Sequence, residues 1–273
     1  MEAKSNILVP IDFTAVTEKA LEHACVLAQQ THEHIHLLHV VKKAEDTQNI
    51  ELTQQLNSIR DKHHEKYGVP IISNIREGNI FNTISEFSQT EKSRLIVMGT
   101  HGVRGVQYIV GAFAVRVIMS SKIPVIITQL HSQIPSSFDR ILIPINDSEE
   151  IKQKLLKAIE FAKLTNAEVQ LFKKHSENEV EVDKITLNTN FYLKHLQQQG
   201  VSVNVVEMRK GGNDFSKEFT DYAKKIAAKL IVILTTPEKG IKEFVLGPVE
   251  QQVINNHANI PVMCINTLQT IYS

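Results

Sequence analysis

An excess of charge of either sign is missing from this chain. Its 273 residues carry 30 Lys and Arg against 30 Asp and Glu, a formal net charge of zero. Phosphate neutralisation needs a basic excess, so nonspecific nucleic-acid binding is not expected. No Lys/Arg run is longer than two residues. Cysteine is nearly missing too. Cys25 and Cys264 stand alone, neither in a Cys-x-x-Cys pair, which rules out a disulfide framework. Buried thiols in a reducing cytoplasm are the expectation. No apolar stretch approaches the roughly 18 residues of a membrane span. Residues 1–4 run directly into strand-like sequence, with no charged-then-apolar leader of the secretory kind. A cytoplasmic protein without membrane association is expected. What is present is ordinary globular composition, 42% hydrophobic and 22% charged. The length suits about two domains at roughly 100–200 residues each.

The chain repeats itself. Ile7-Leu8-Val9-Pro10-Ile11-Asp12 returns as Ile141-Leu142-Ile143-Pro144-Ile145-Asn146, an offset of 134. Leu95-Ile96-Val97 returns as Leu230-Ile231-Val232, offset 135, and Ile123-Pro124-Val125-Ile126 as Ile260-Pro261-Val262-Met263, offset 137. Three matches in one order with a nearly constant offset mark a duplication. Residues 1–132 and 138–273 are the two copies. The polar, Pro-bearing stretch His131–Ser137 between them reads as a linker.

Strands and helices alternate within a copy. Ile7–Ile11 is a short run rich in β-branched residues, a buried strand. Val16, Ala20, Leu21, Ala24, Leu27 and Ala28 then recur at helical spacing. A strand at 35–41, a polar helix at about 47–67, a strand at 71–76 and a helix at about 80–92 follow. A strand at 95–98, a glycine-bearing loop, a helix at about 110–121 and a strand at 124–128 complete the copy. The pattern predicts an α/β fold: two tandem five-stranded parallel sheets with helices on both faces.

Ligands in such sheets bind beyond the carboxyl ends of the strands. Asp12 stands at one such end and Gly99-Thr100-His101-Gly102 at another. Glycines let backbone N–H groups approach an anion, and the helix starting near Gly111 adds its positive end. A tight strand-to-helix turn explains an isolated glycine loop equally well. The combination is more specific. Val9-Pro10-Ile11-Asp12-Phe13-Thr14, Leu37-Leu38-His39-Val40-Val41, Ile96-Val97-Met98-Gly99-Thr100-His101-Gly102, Gly111 and Ile123-Pro124-Val125 together resemble the universal stress protein family. Both halves share the likeness, as in tandem members of that family. The resemblance implies an adenine-nucleotide alpha-hydrolase-like fold. Some members bind ATP and others do not; binders carry Gly-x-x-Gly, nine residues, then Gly followed by Ser or Thr.

By this resemblance Asp12 lies near the ribose and Val40 offers backbone groups to adenine. Gly99, Gly102 and Gly111 line the phosphates, with Pro10, Met98 and His101 flanking. The alternative for Asp12 is a helix N-cap or turn residue, and for His101 a solvated loop residue. The first copy departs from the binding pattern. Eight residues separate Gly102 from Gly111, and Ala112 holds the Ser/Thr position. One lost hydrogen bond to a charged group weakens binding by roughly 1.5–3 kcal/mol. The second copy departs further: Asn146 replaces Asp12, Leu234-Thr235-Thr236-Pro237 replaces the Gly-x-x-Gly, and Pro248 follows Gly247. No ATP site of the family type is expected there. The readings left open are a regulatory binder of ATP or another adenine nucleotide, with Mg accompanying it, a nucleotide-free interaction scaffold, and a weak ATPase.

Other constellations carry less. His32, His34 and His36 alternate, but no Asp, Glu or Cys is tied to them by spacing, so surface histidines are expected rather than a metal site. His39 reads as a hydrogen-bonded sheet residue and His63-His64 as solvated. No motif supports catalysis, and the expectation is a protein that is not an enzyme. Glu149-Glu150 and Lys224-Lys225 read as solvated charges, Cys25 and Cys264 as core. The resemblance implies pairing through the last strand, by which single-domain members of the family dimerise, so Val125–Thr128 and Val262–Ile265 are expected to pair within the chain as an internal pseudo-dimer, which covers two exposed edges. A homodimer of whole chains is a further arrangement left open.

Overall fold

The structure, a computed structural model, describes residues 5–100, 111–147, 151–209, 214–235 and 246–266. The first half runs β1 (Asn6–Pro10), α1 (Ala15–Thr31), β2 (His34–Val41), α2 (Ile50–Tyr67), β3 (Ile71–Glu77), α3 (Ile80–Thr90), β4 (Ser93–Thr100), α4 (Ala112–Ser120) and β5 (Val125–Gln129). The second repeats it: β6 (Arg140–Ile145), α5 (Ile151–Thr165), β7 (Glu168–Lys173), α6 (Glu179–Gln198), β8 (Val203–Glu207), α7 (Phe215–Lys225), β9 (Leu230–Thr235), α8 (Pro248–Ile254) and β10 (Val262–Asn266). The polar helix expected from about residue 47 is broken: a 3-10 turn, Ala44–Gln48, precedes α2. Asn49 separates them because its side chain accepts from the Leu52 amide and caps α2.

The two sheets merge into one of ten strands, ordered β3-β2-β1-β4-β5-β10-β9-β6-β7-β8. The described pairings are parallel except the central one, where β5 meets β10 antiparallel with Val262 opposite Ile127 and Cys264 opposite Val125. The seam has polar clasps at both ends. Gln129, closing β5, donates to the carbonyls of Ile254 (3.2 Å) and Asn256 (3.1 Å) in the other half. Asn266, closing β10, donates to the Met119 carbonyl at 2.7 Å. On the α1–α5 face, Gln30 accepts from the Phe138 amide at 2.8 Å and donates to the Thr165 carbonyl. Residues 131–137 are therefore no loose tether. Ser132 accepts from the Gln129 amide and Ile134 packs on the core.

Side-chain alternation along the strands fills two cores. Ile7 and Val9 belong to the sheet face covered by α1, α2, α5 and α6, whereas Leu8 belongs to the face covered by α3, α4, α7 and α8. Both faces are dry, which is why the strands read as nearly continuous apolar runs. Cys25 and Cys264 are buried. Burial pushes the Cys25 thiol up to about 12, and that of Cys264 up as well. His63 corrects one expectation. It is 2% exposed, donates from Nδ1 to the Ile59 carbonyl at 2.8 Å and lies parallel to the Tyr67 ring. Lys224 and Lys225 are exposed as expected. Glu149 and Glu150 lie outside the described residues. Among the described residues no helix is long and apolar enough to cross a membrane.

Candidate functional site

The carboxyl ends of β1, β2 and β4 open into a cleft of about 320 Å³, roofed by the starts of α3 and α4. Its wall begins at Pro10-Ile11-Asp12. Phe13 adopts a left-handed φ of 66°, and this sharp turn swings the chain from β1 into α1. The ring of Phe13 rests 4.6 Å from that of His39. His39 Nδ1 in turn donates to the Ile11 carbonyl at 2.7 Å, so it is the hydrogen-bonded sheet histidine expected. Asp12 Oδ1 accepts from the Thr14 amide (3.1 Å), the Thr14 hydroxyl (2.6 Å) and the Thr17 hydroxyl (2.9 Å). The carboxylate thus organises the first turn of α1, the turn role weighed for it, while also lining the cleft.

The floor is apolar: Leu38 and Val40 from β2, Met98 from β4, Ile80 and Phe113 from the helix starts. Phe113 packs on Phe81 with ring centroids 5.1 Å apart, and the Arg116 guanidinium covers Phe81 at 4.9 Å. Two polar groups interrupt the lining beside Asp12, namely Thr17 and Thr100. Thr100 is 3% exposed, yet its hydroxyl has no hydrogen-bond partner among the described residues. A Cβ added to Gly111 would lie 3.6 Å from that oxygen. The hydroxyl therefore sits against the backbone where α4 begins, and Gly111 provides no side-chain cap there.

Six of the expected site residues line this cleft: Pro10, Asp12, Val40, Met98, Gly99 and Gly111. Ala112 does not; it is exposed on the outer side of the first turn of α4. His101 and Gly102 lie outside the described residues. Gly99 has a packing reason for its missing side chain. A Cβ there would meet the Val16 carbonyl oxygen at 2.4 Å, so the residue lets β4 lie close to α1. Thr100 and Thr17 escaped sequence reading, although Thr100 lies inside the Gly99–Gly102 segment and Thr17 one turn beyond Asp12.

The second half differs at the matching positions. Asn146 offers its backbone carbonyl to Asn188 Nδ2 at 2.8 Å. Pro248 opens the short helix α8, where a missing N–H is tolerated. Thr236, Pro237 and Gly240 lie outside the described residues. Lys154 falls where the 134-residue offset places Ala20 in the first half. It is 4% exposed, donates to the Pro144 carbonyl at 2.7 Å and stands 5.7 Å from the Tyr192 ring. Desolvation lowers its amine to about 7.

Comparison with known proteins gives one consistent result. The model of the universal stress protein family matches twice, at residues 4–129 and 137–266. A universal stress protein of Methanocaldococcus jannaschii is 30% identical over 139 residues, spanning 45% of this chain and 81% of that protein. Among solved structures, a universal stress protein of Archaeoglobus fulgidus superposes with a TM-score of 0.72 at 19% identity, covering 98% of this chain and 100% of that one. A protein of unknown function from Pseudomonas aeruginosa superposes at 0.63 and 17% identity, covering 97% and 93%. At these identities the two structures speak for the fold.

Proposed function

The chain belongs to the universal stress protein family, and from that premise we propose that its first half is an adenine-nucleotide-binding module whose occupancy regulates the protein. The observation that carries this reading is the cleft at the strand ends with the Thr100 hydroxyl in its lining, buried and, among the described residues, without a partner beside the start of α4. A buried polar group left unpaired costs about 1–3 kcal/mol. A phosphate oxygen placed there relieves that cost and meets the positive end of the helix. The apolar floor of Leu38, Val40 and Met98 suits a purine ring. Asp12, held in place by Thr14 and Thr17, lines the same cleft and in this reading takes the ribose hydroxyls.

The site is a degenerate one in this reading. Position 112 carries no hydroxyl, and the segment before Gly111 is one residue short of the binding pattern. Affinity falls, while the shape of the cleft remains. With ATP as occupant, Mg arrives bound to the phosphates. The second half is read as a partner domain without a site of this type, and the whole protein as a binder rather than an enzyme.

The test begins with protein purified without added nucleotide. Denaturation and mass spectrometry identify what is released, and calorimetry with ATP, ADP, AMP and cyclic AMP follows. Thr100→Val is expected to weaken binding by about tenfold or more, the loss of a hydrogen bond to a charged group. Val40→Trp fills the floor and abolishes binding, and phosphate release stays at background. No heat with any of the four, or heat unchanged in both variants, rejects the reading and leaves the nucleotide-free scaffold standing.

A further inference from the structure

The amino end of the sheet carries a separate cluster. His34 and His36 stand two residues apart on β2 and so project from one face. Their Nε2 atoms are 3.3 Å apart. His36 is 7% exposed, and Phe87 of α3 packs edge-on against its ring at 5.5 Å. Asn74, on the neighbouring β3, donates from Nδ2 to His36 Nδ1 (3.1 Å) and to the Ile72 carbonyl (2.9 Å). Glu91 Oε2 lies 3.9 Å from His36 Nε2. Among the described residues no three His, Cys, Asp or Glu side chains close around one centre; the two imidazoles are what converges. Val40, in the nucleotide cleft, is six residues further along β2, about 20 Å away at roughly 3.3 Å per residue.

We propose that His34 and His36 form a two-imidazole chelate for a divalent transition-metal ion of the zinc, nickel or copper class. Two nitrogens each 2.0–2.1 Å from a tetrahedral ion lie about 3.3 Å apart, the separation these atoms already have. Imidazole suits this class of ion better than magnesium or calcium. Half-buried His34 leaves the pair open to solvent, and packing against Phe87 holds the His36 ring in place. Water fills the remaining coordination positions, with Glu91 placed beyond them to accept from one.

The protons balance. Without an ion, the Asn74 bond makes His36 Nδ1 an acceptor, so His36 Nε2 carries the hydrogen and donates it to His34 Nε2. On ligation that hydrogen moves to Nδ1. Asn74 then turns its amide oxygen to accept it and gives up the Ile72 carbonyl. The imidazole stays neutral and no proton is released. A carboxylate at position 74 is the better partner for the ligated tautomer, since it accepts from Nδ1–H without that turn.

The experiment titrates the full chain, stripped with a chelator, with zinc chloride in a calorimeter. One equivalent with micromolar affinity is expected. His34→Gln and His36→Gln each weaken it by about tenfold or more, and His32→Gln, at an exposed residue that ends α1, leaves it unchanged. Asn74→Asp tightens binding, a gain that misfolding does not mimic. Absence of saturable zinc binding, or binding that survives both the His34 and the His36 substitutions, overturns the proposal.

Discussion

Lys154 is a buried lysine where its repeat partner, Ala20, is a buried alanine. An ammonium has three donors to satisfy, and here one reaches the Pro144 carbonyl while the Tyr192 ring faces the group. Desolvation lowers the amine from 10.5 to about 7. In the unfolded chain it returns to the ordinary value. Between pH 7 and 10.5 the unfolded state therefore binds more protons, and stability rises with pH across that window. Below pH 7 the full cost is present, up to roughly 5 kcal/mol at about 1.4 kcal/mol per unit. Lys154→Met, similar in length and apolar, is expected to raise stability most at pH 6.5 and least near pH 10. Urea unfolding of both proteins across this range checks it. The difference between them cancels the titration of the two buried thiols, and parallel curves would mean Lys154 is not a buried cation. At this scale sequence reading works where chemistry is local. It picks out Asp12, Val40 and Gly99, all of which line the cleft, but not the packing of Gly99 against the Val16 carbonyl. It also misses Thr100 and the burial of His63, because both depend on what packs across from them.

Elements were more legible than residues because they follow periodicity. Each strand of the first half lies within two residues of its expected bounds, since dry faces on both sides require continuous apolar runs. The α2 boundary slipped because Asn49, a cap, sits inside a polar stretch that reads as helix throughout. The turn between β1 and α1 was less legible. A left-handed Phe13 is not written in local propensity; it is held by the His39 contact and by the Asp12 network. That network makes Asp12 structural as well as cleft-lining. Asp12→Ala removes the acceptor for three donors and is expected to cost about 1 kcal/mol or slightly more, the scale of a lost helix cap. Asp12→Asn keeps an oxygen in place and is expected to cost less. Thermal unfolding of the two variants separates the roles. A nucleotide-affinity loss in Asp12→Asn without a fall in midpoint belongs to the cleft, whereas equal destabilisation by both substitutions would show that charge, not the acceptor, organises α1.

At the scale of the whole molecule, the duplication resolves an edge problem. A five-stranded parallel sheet of this order leaves β5 open on one side, a row of unpaired N–H and C=O groups. In this chain β10 covers that edge, with Val125, Ile126 and Ile127 opposite Cys264, Met263 and Val262. The clasps from Gln129 and Asn266 reach across in both directions, and α1 packs on α5 along the same seam. The repeat offset showed that there were two copies. Their joining through the last strands came from the family resemblance, because pairing between distant segments leaves no periodic trace in sequence. The seam makes a direct prediction. A fragment of residues 1–132 exposes the β5 edge and the buried side chains around it. It is expected to dimerise through that strand or to aggregate, whereas the full chain leaves no such edge at its centre. Light scattering after size exclusion distinguishes the outcomes. Adding the separately produced fragment 138–273 should convert the dimer into a one-to-one complex with the mass of the intact chain. A stably folded, monomeric first half that ignores its complement would mean that neither half needs the seam, and that the ten-stranded sheet is a consequence of tethering rather than of edge protection.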